Sequence, residues 1–257
     1  MANILEQFKL TGKKALVTAA GSGIGRAYAH ALAEAGADVA VADIDLDRAS
    51  TVAGELRDSG AESISLAADC SKEEDIERLF DAYIKKWDRL DIAVNNAGIS
   101  IIGNAENYSI SDWDKIMNLN MRGNFICAQK EAAIMMPHKY GKIIFTTSIS
   151  ASIINIPQFQ VAYSVSKAGL EHLVRCLAVE WIPYGIYVNA ISPGAVYTPA
   201  LEAEHLKPLV PQWEKLYPIK RLGHVEEFKG AVIYLASDVS SFTVGHVLVI
   251  DGGYTLY

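Results

Sequence analysis

Residues 14–25 read Lys14-Ala-Leu-Val-Thr18-Ala-Ala-Gly21-Ser22-Gly23-Ile24-Gly25, and their reading decides the fold. Lys14 to Thr18 is a short apolar run of the kind that forms a buried strand. Glycines follow at 21, 23 and 25. A helix reading then runs from Arg26 to Gly36, where glycine ends it. Ala37 to Ala42 is a second apolar strand, closed by Asp43. Strand, glycine-rich turn, helix and strand make one βαβ unit of about 30 residues. Such a turn lets the backbone approach a pyrophosphate at a helix N-terminus. The alternative is a merely glycine-rich loop, and the strand before it and helix after it argue against that.

The alternation continues outward. Helices at 46–59, 72–87, 111–136, 162–184 and 225–237 separate strands at 63–68, 90–95, 142–147, 186–191 and 247–250. Short β-branched strands with helices between them predict an α/β fold. Its form is a Rossmann-type doubly wound parallel sheet of seven strands, with helices on both faces. Nothing in 1–257 reads as a linker or repeat, so one domain is expected. Residues 197–222 break the rhythm with Pro199, Pro208, Pro211 and Pro218. This excursion is too long for a simple connection and is expected to act as a lid over a substrate site. The alternative is an irregular helical pair packed on the surface.

The chain has 257 residues, 51% of them hydrophobic, and a formal net charge of −7. That charge argues against a nucleic-acid footprint. Cys70, Cys127 and Cys176 have no zinc-type spacing, so no metal site is expected. Sparse, odd cysteines fit a reducing compartment. The start is polar and no run is long enough to span a bilayer. A soluble cytoplasmic protein without a membrane partner is therefore expected.

Candidate site residues fall at strand ends, where open α/β sheets bind ligands. Asp43 can accept from both ribose hydroxyls and would repel a 2′-phosphate. Neither Ile44 nor the turn 19–22 offers a lysine or arginine, so NAD is favoured over NADP. Asp69 could receive an adenine amino group or serve as a helix cap, a role for which Ser71 competes. Asn95-Asn96-Ala97-Gly98 leaves room for a flat ligand. Tyr163 and Lys167 stand four apart on a predicted helix and so share a face. An ammonium at about 4 Å could bring a phenol from about 10 toward about 7.

Gly21-Ser-Gly-Ile-Gly25, Asn95-Asn-Ala-Gly98, Tyr163-x-x-x-Lys167 and Pro193-Gly194 stand in an order that resembles the short-chain dehydrogenase/reductase family, from Leu10 to Gly253. The resemblance implies Asn120 as the catalytic asparagine that holds a relay water, Tyr163 as acid/base, and Lys167 as its partner and ribose ligand. It places Gly21, Ser22, Gly23, Ile24, Gly25, Asp43, Asp69, Cys70, Asn96, Ala97 and Gly98 at cofactor-contacting positions. Pro193, Gly194, Val196 and Thr198 would lie against the nicotinamide. The family's serine falls at Ser150 when counted back from Tyr163, and at Ser148 when counted along the strand. A loop tolerates insertions better than a strand, so Ser148 is preferred and Ser150 becomes a substrate contact. Ala19 replaces a usual glycine, which is tolerable if its φ is negative. Thr147 stands where a second serine is common.

The implied reaction is NAD-dependent interconversion of a secondary alcohol and a ketone. Asn155, Gln158 and Gln160, with Glu202, His205 and Lys207 of the lid, suit a polyhydroxy substrate. The 155–163 pattern and the C-terminal end resemble sugar-alcohol and sugar-acid members. Ser148, Ser150, Gln158 and Tyr163 are the expected substrate contacts. A pocket lined by Ile101, Ile102, Ile153 and Phe159 would instead suit apolar ketones or oxoacyl groups. An idle nucleotide-binding scaffold is the third reading. A homotetramer formed through the helices starting near Ser111 and Ala162 and through the C-terminal strand is implied by the family.

Overall fold

The computed structural model describes residues 3–204 and 206–256; His205 of the expected lid lies outside them. After α1 (Ile4–Gln7), the chain runs β1 (Lys14–Thr18), α2 (Gly23–Glu34), β2 (Asp38–Asp43), α3 (Leu46–Asp58), β3 (Ser63–Ala67), α4 (Glu73–Lys86) and β4 (Ile92–Asn95). It continues through α5 (Ile110–Met117), α6 (Asn124–Met135), β5 (Gly141–Thr146), α7 (Val161–Trp181) and β6 (Ile186–Pro193). The last elements are β7 (Val196–Tyr197), α8 (Val210–Leu216), β8 (Gly223–His224), α9 (Lys229–Ala236) and β9 (Val247–Ile250).

Seven strands form one sheet in the order β3-β2-β1-β4-β5-β6-β9, and every pairing is parallel. The order reverses between β1 and β4, which is the switch point where such sheets bind ligands. β1, β4 and β5 are buried along nearly their whole length because helices cover both faces. α3 turns Ala49, Val52, Ala53 and Leu56 inward, a spacing of three and four that makes one stripe. α4 does the same on the other face with Ile76, Leu79, Phe80 and Tyr83. Two apolar cores result, one on each side of the sheet.

The expected helix 111–136 is interrupted. Residues 118–123 form a π-helical turn between α5 and α6. Gly123 closes this turn against a neighbour: a Cβ there would lie 1.9 Å from the Cys70 carbonyl oxygen. Such turns re-aim side chains, and this one carries Asn120. No helix among the described residues is long and apolar enough to cross a membrane.

Candidate active site

The carboxyl ends of β1 and β4 are stitched together by side chains. Thr18 Oγ1 accepts from the backbone N–H groups of Asn96 (3.0 Å) and Ala97 (3.2 Å). Asn96 Nδ2 donates back to the carbonyls of Thr18 and Ala19 at 3.3 and 3.2 Å. Gly25 has no room for a side chain here, since a Cβ would meet the Ala19 oxygen at 2.2 Å. Ser22 caps α2 without a side-chain hydrogen bond, so the first N–H groups of α2 face outward to an anion.

Ala19 has φ 49. The condition under which alanine would be tolerated without cost, a negative φ, is not met: the turn holds Ala19 in the left-handed region that glycine favours. Asp43 Oδ2 accepts from Gly21 N–H at 2.8 Å and Oδ1 from Asp45 N–H at 3.0 Å, so the carboxylate fixes the turn it faces. Sequence reading passed over Arg48. Its Cβ would stand 2.7 Å from a Cβ on Gly21, and its Nε pairs with Asp45 at 3.1 Å. The signal was available, because Arg48 is on the first turn of the helix after β2.

A groove of about 360 Å³ runs from Ser22, Gly23 and Ile24 past Asn96 and Gly98 to Tyr163 and Lys167. Pro193, Gly194, Val196 and Thr198 form its opposite wall. The Thr198 methyl would lie 3.5 Å from a Cβ on Gly23, which closes the wall onto the glycine turn. Gly21, Gly25, Asp43, Asp69, Cys70 and Ala97 are not among the residues lining the groove; Gly21 packs on Asp43, and Gly25 on Ala19 and Asn96. Asp69 Oδ1 accepts from Ser71 N–H and Oγ at 3.0 and 2.7 Å, a local turn ahead of α4 whose N-cap is Lys72, so neither Asp69 nor Ser71 caps that helix. A strand-end carboxylate, open helix N–H groups and a glycine cradle together fit a dinucleotide.

Asn120 is fully buried. Its Oδ1 accepts from Ile99 N–H and its Nδ2 donates to the Ile99 carbonyl, both at 2.9 Å; Nδ2 also donates to Ser166 Oγ at 3.1 Å. The amide is thus a clamp on the Ile99 turn, with one Oδ1 lone pair left over. Asn95 Nδ2 donates at 2.8 Å to Glu131, whose burial pushes its carboxyl up to about 8. That buried acid was not foreseen.

Lys167 Nζ donates to the Thr146 carbonyl at 2.7 Å and lies 5.7 Å from the centre of the Tyr163 ring. Burial pushes Lys167 down to about 8. The phenol of Tyr163 moves the other way from expectation. Burial raises it, and a hydrogen bond with Ser148 only partly offsets this. Lowering the phenol toward neutrality thus takes more positive charge than Lys167 supplies in this site.

A second cavity of about 210 Å³ adjoins the groove, and Ser100, Ser148, Tyr163, Gly194 and Val196 line both. Ser148, Ser150, Gln158 and Tyr163, the expected substrate contacts, all reach it. So do Asn155 and Gln160, with Tyr217 and Tyr254 as additions from distant sequence. The 197–222 segment walls this cavity through Leu201, Leu206, Trp213 and Tyr217. The two polar lid residues that are described, Glu202 and Lys207, do not line it. Glu202 and Lys207 point to solvent and pair with each other at 3.4 Å. Of the apolar alternative set, Ile102 lines the cavity. Phe159 instead faces a separate surface hollow with Ile154 and Val165.

Residues 18–255 match the family described as enoyl-(acyl carrier protein) reductase. The chain is 38% identical to an NAD-dependent glycerol dehydrogenase of Listeria innocua, over 98% of this chain and 97% of that one. It is 35% identical to a ribulose-forming D-arabinitol 2-dehydrogenase of Scheffersomyces stipitis, again over 98% and 97%. A short-chain type dehydrogenase/reductase from Mycobacterium marinum has the same fold with a TM-score of 0.96. It is 39% identical, with 99% of this chain and 100% of that chain covered.

Proposed function

The chain belongs to the short-chain dehydrogenase/reductase family, and from that premise we propose that it oxidises a polyol or sugar-type secondary alcohol, and reduces the matching ketone, with NAD. Family membership makes it an oxidoreductase of CH–OH groups. The observation that carries the substrate reading is the convergence of Ser148, Ser150, Gln158, Gln160 and Tyr163 on one cavity that opens into the groove. The buried hydroxyls of Ser148 and Ser150 and the half-buried amides favour a ligand that returns their hydrogen bonds. The polyol-dehydrogenase relatives point the same way.

Ser22 to Ile24, Asn96, Lys167 and Thr198 would hold the dinucleotide, with Asp43 toward its ribose. When bound, its nicotinamide supplies the hydride acceptor, or the donor in reverse. Tyr163 takes the hydroxyl proton in oxidation and returns it in reduction. Ser148 donates to the reacting oxygen as charge changes on it. Lys167, largely charged at neutral pH, stabilises the tyrosinate. Asn120 holds the Ile99 turn, and its remaining lone pair serves a water on the path to Lys167.

Nicotinamide absorbance during turnover tests this, with NAD and NADP each run against polyols, sugar acids and apolar secondary alcohols. Polyol oxidation with NAD is expected. Activity confined to apolar alcohols would favour the second reading, which rests on the Leu201, Leu206 and Trp213 wall. Activity confined to NADP would discard the Asp43 argument and turn attention to Arg48. A homotetramer completes the reading, and a stable monomer in light scattering would remove it. The three free cysteines support a cytoplasmic location, which cell fractionation checks.

A further inference from the structure

Gln160 stands three residues before Tyr163, at the N-cap of α7. Its backbone is held firmly. Gly103 forms a parallel bridge with it and donates its N–H to the Phe159 carbonyl at 2.9 Å, and Ser164 N–H bonds the Gln160 carbonyl at 3.0 Å. The side-chain amide joins three segments. Its Oε1 accepts from Ser100 Oγ at 3.0 Å, and its Nε2 donates to Ser150 Oγ at 3.1 Å and to Asn155 Oδ1 at 3.2 Å. Ser150 is itself buried and lines the cavity beside Tyr163.

Counting lone pairs gives Ser150 a direction. A serine hydroxyl has two acceptor sites and one proton. One site takes the Gln160 Nε2–H. Before substrate arrives the other takes the Ser148 hydroxyl proton, across 3.0 Å; when Ser148 turns that proton to the reacting oxygen, this second site opens to the substrate as well. The remaining group is the Ser150 proton, free to donate into the cavity. Ser148 is the serine bonded to Tyr163 and so belongs to the reacting oxygen. Ser150 then lies one hydroxyl further along, at the spacing of a neighbouring oxygen on the substrate.

We propose that Gln160 is a positioning residue that turns the Ser150 hydroxyl into a donor for a second substrate oxygen, so that the cavity selects vicinal diols and 2-hydroxy ketones over simple secondary alcohols. This rests on the reading of Ser148 and Tyr163 as the reacting pair. Gln160→Glu replaces the Nε2 donor by an acceptor. The Ser150 proton then turns to the carboxylate and is lost to the substrate.

The test uses 2,3-butanediol and 2-butanol, which differ by that one oxygen. Their binding to the NAD-loaded enzyme is measured by calorimetry and their turnover by absorbance. Wild type is expected to prefer the diol. Gln160→Glu should lose about ten- to a hundredfold in kcat/KM and affinity for the diol, chiefly through KM, and a smaller factor for 2-butanol, so that the ratio between the two alcohols falls about tenfold. Gln160→Leu, with no charge, should show the same discrimination at smaller size. Among the described residues the titratable groups around position 160 are Tyr163 and Lys167 on its own helix, Glu106 from the turn packed against it, and Tyr217 and Tyr254 across the cavity. Glutamic acid donates again once protonated. Diol affinity of the Gln160→Glu variant should therefore recover as pH falls, about tenfold per unit until the carboxyl is mostly protonated, while wild type stays flat. Equal losses on both alcohols would mark Gln160 as merely structural. Unchanged diol binding, or a wild type that binds both alcohols alike, would overturn the proposal. A wild type that binds the diol but never turns it over would sink the functional reading while leaving the role of Gln160 standing.

Discussion

Two buried lysines grip opposite ends of the same strand. Lys142 is the second residue of β5, and Lys167 of α7 donates to Thr146, the last residue of β5. Burial pushes both down to about 8. Their surroundings differ. Lys142 donates to Ser240 Oγ at 3.1 Å, lies 4.0 Å from the centre of the Tyr187 ring, and feels the Asp238 carboxylate. Ser240 passes its own proton to the carbonyls of Leu235 and Ser237. Among the described residues Lys167 has the Thr146 carbonyl as its acceptor, and it lines the open groove. A depressed lysine is thus no mark of function by itself. Unfilled donor capacity facing a groove is what separates the two.

Replacing each lysine by methionine gives the sharpest break. Lys167→Met is expected to lower kcat/KM by about a hundred- to a thousandfold, since it removes the charge that steadies the tyrosinate. Its melting temperature should not fall, because an apolar side chain suits the burial. Lys142→Met should leave kcat/KM within about twofold of wild type. A large activity loss in the second variant would end the distinction between the two sites. Tyr163→Phe belongs beside Lys167→Met: the protein should fold and turnover should drop by about a hundredfold or more.

Stability against pH treats the pair as equals. Each lysine titrates at about 8 in the folded chain and near its ordinary value when unfolded. Between those values the unfolded chain binds more protons, so stability rises with pH through the window. Each lysine contributes about 3 kcal/mol across it. Buried tyrosines with raised phenols, Tyr28 and Tyr83 among them, act in the opposite sense at higher pH. Denaturant melts between pH 8 and 9.5 are therefore the right measurement. Either methionine variant should flatten the rise by a similar amount. Flattening by Lys167→Met alone would mean that Asp238 keeps Lys142 near its ordinary value.

The same contrast explains what the sequence made legible. Strand positions and the Tyr163–Lys167 face follow from local periodicity, and Lys14–Thr18 and Val247–Ile250 fall where apolar runs place them. The π-helical turn at 118–123 is invisible to periodicity, and the Cys70 carbonyl that packs against Gly123 there comes from a distant part of the sequence. The raised phenol of Tyr163 is missed for a similar reason. A pairwise charge estimate from spacing includes the neighbour and omits the desolvation that tertiary packing imposes. The lid residues went wrong by side-chain direction. Leu201, Leu206 and Trp213 turn inward and Glu202 outward, which a Pro-broken segment without a period does not announce.

Backbone strain gives the smallest and finest test. Ala19, beside the groove at the end of β1, has φ 49, and Lys139, just before β5 at the other end of the sheet, has φ 51. Both are held by close contacts. The Ala19 carbonyl takes the Asn96 amide at 3.2 Å, and the Lys139 carbonyl would lie 2.2 Å from a Cβ on Gly185. A left-handed residue with a Cβ costs about 1 kcal/mol or somewhat more, and glycine removes that cost while loosening the unfolded chain. Ala19→Gly and Lys139→Gly should each therefore stabilise by between about 0 and 1 kcal/mol, a rise of up to about 4 °C in Tm. Only Ala19→Gly should also change NADH affinity, by about twofold, because its turn carries Gly21 and Ser22. Fluorescence titration with NADH reads this directly. Equal effects of the two substitutions on cofactor affinity would show that strain at residue 19 has nothing to do with holding the phosphate turn.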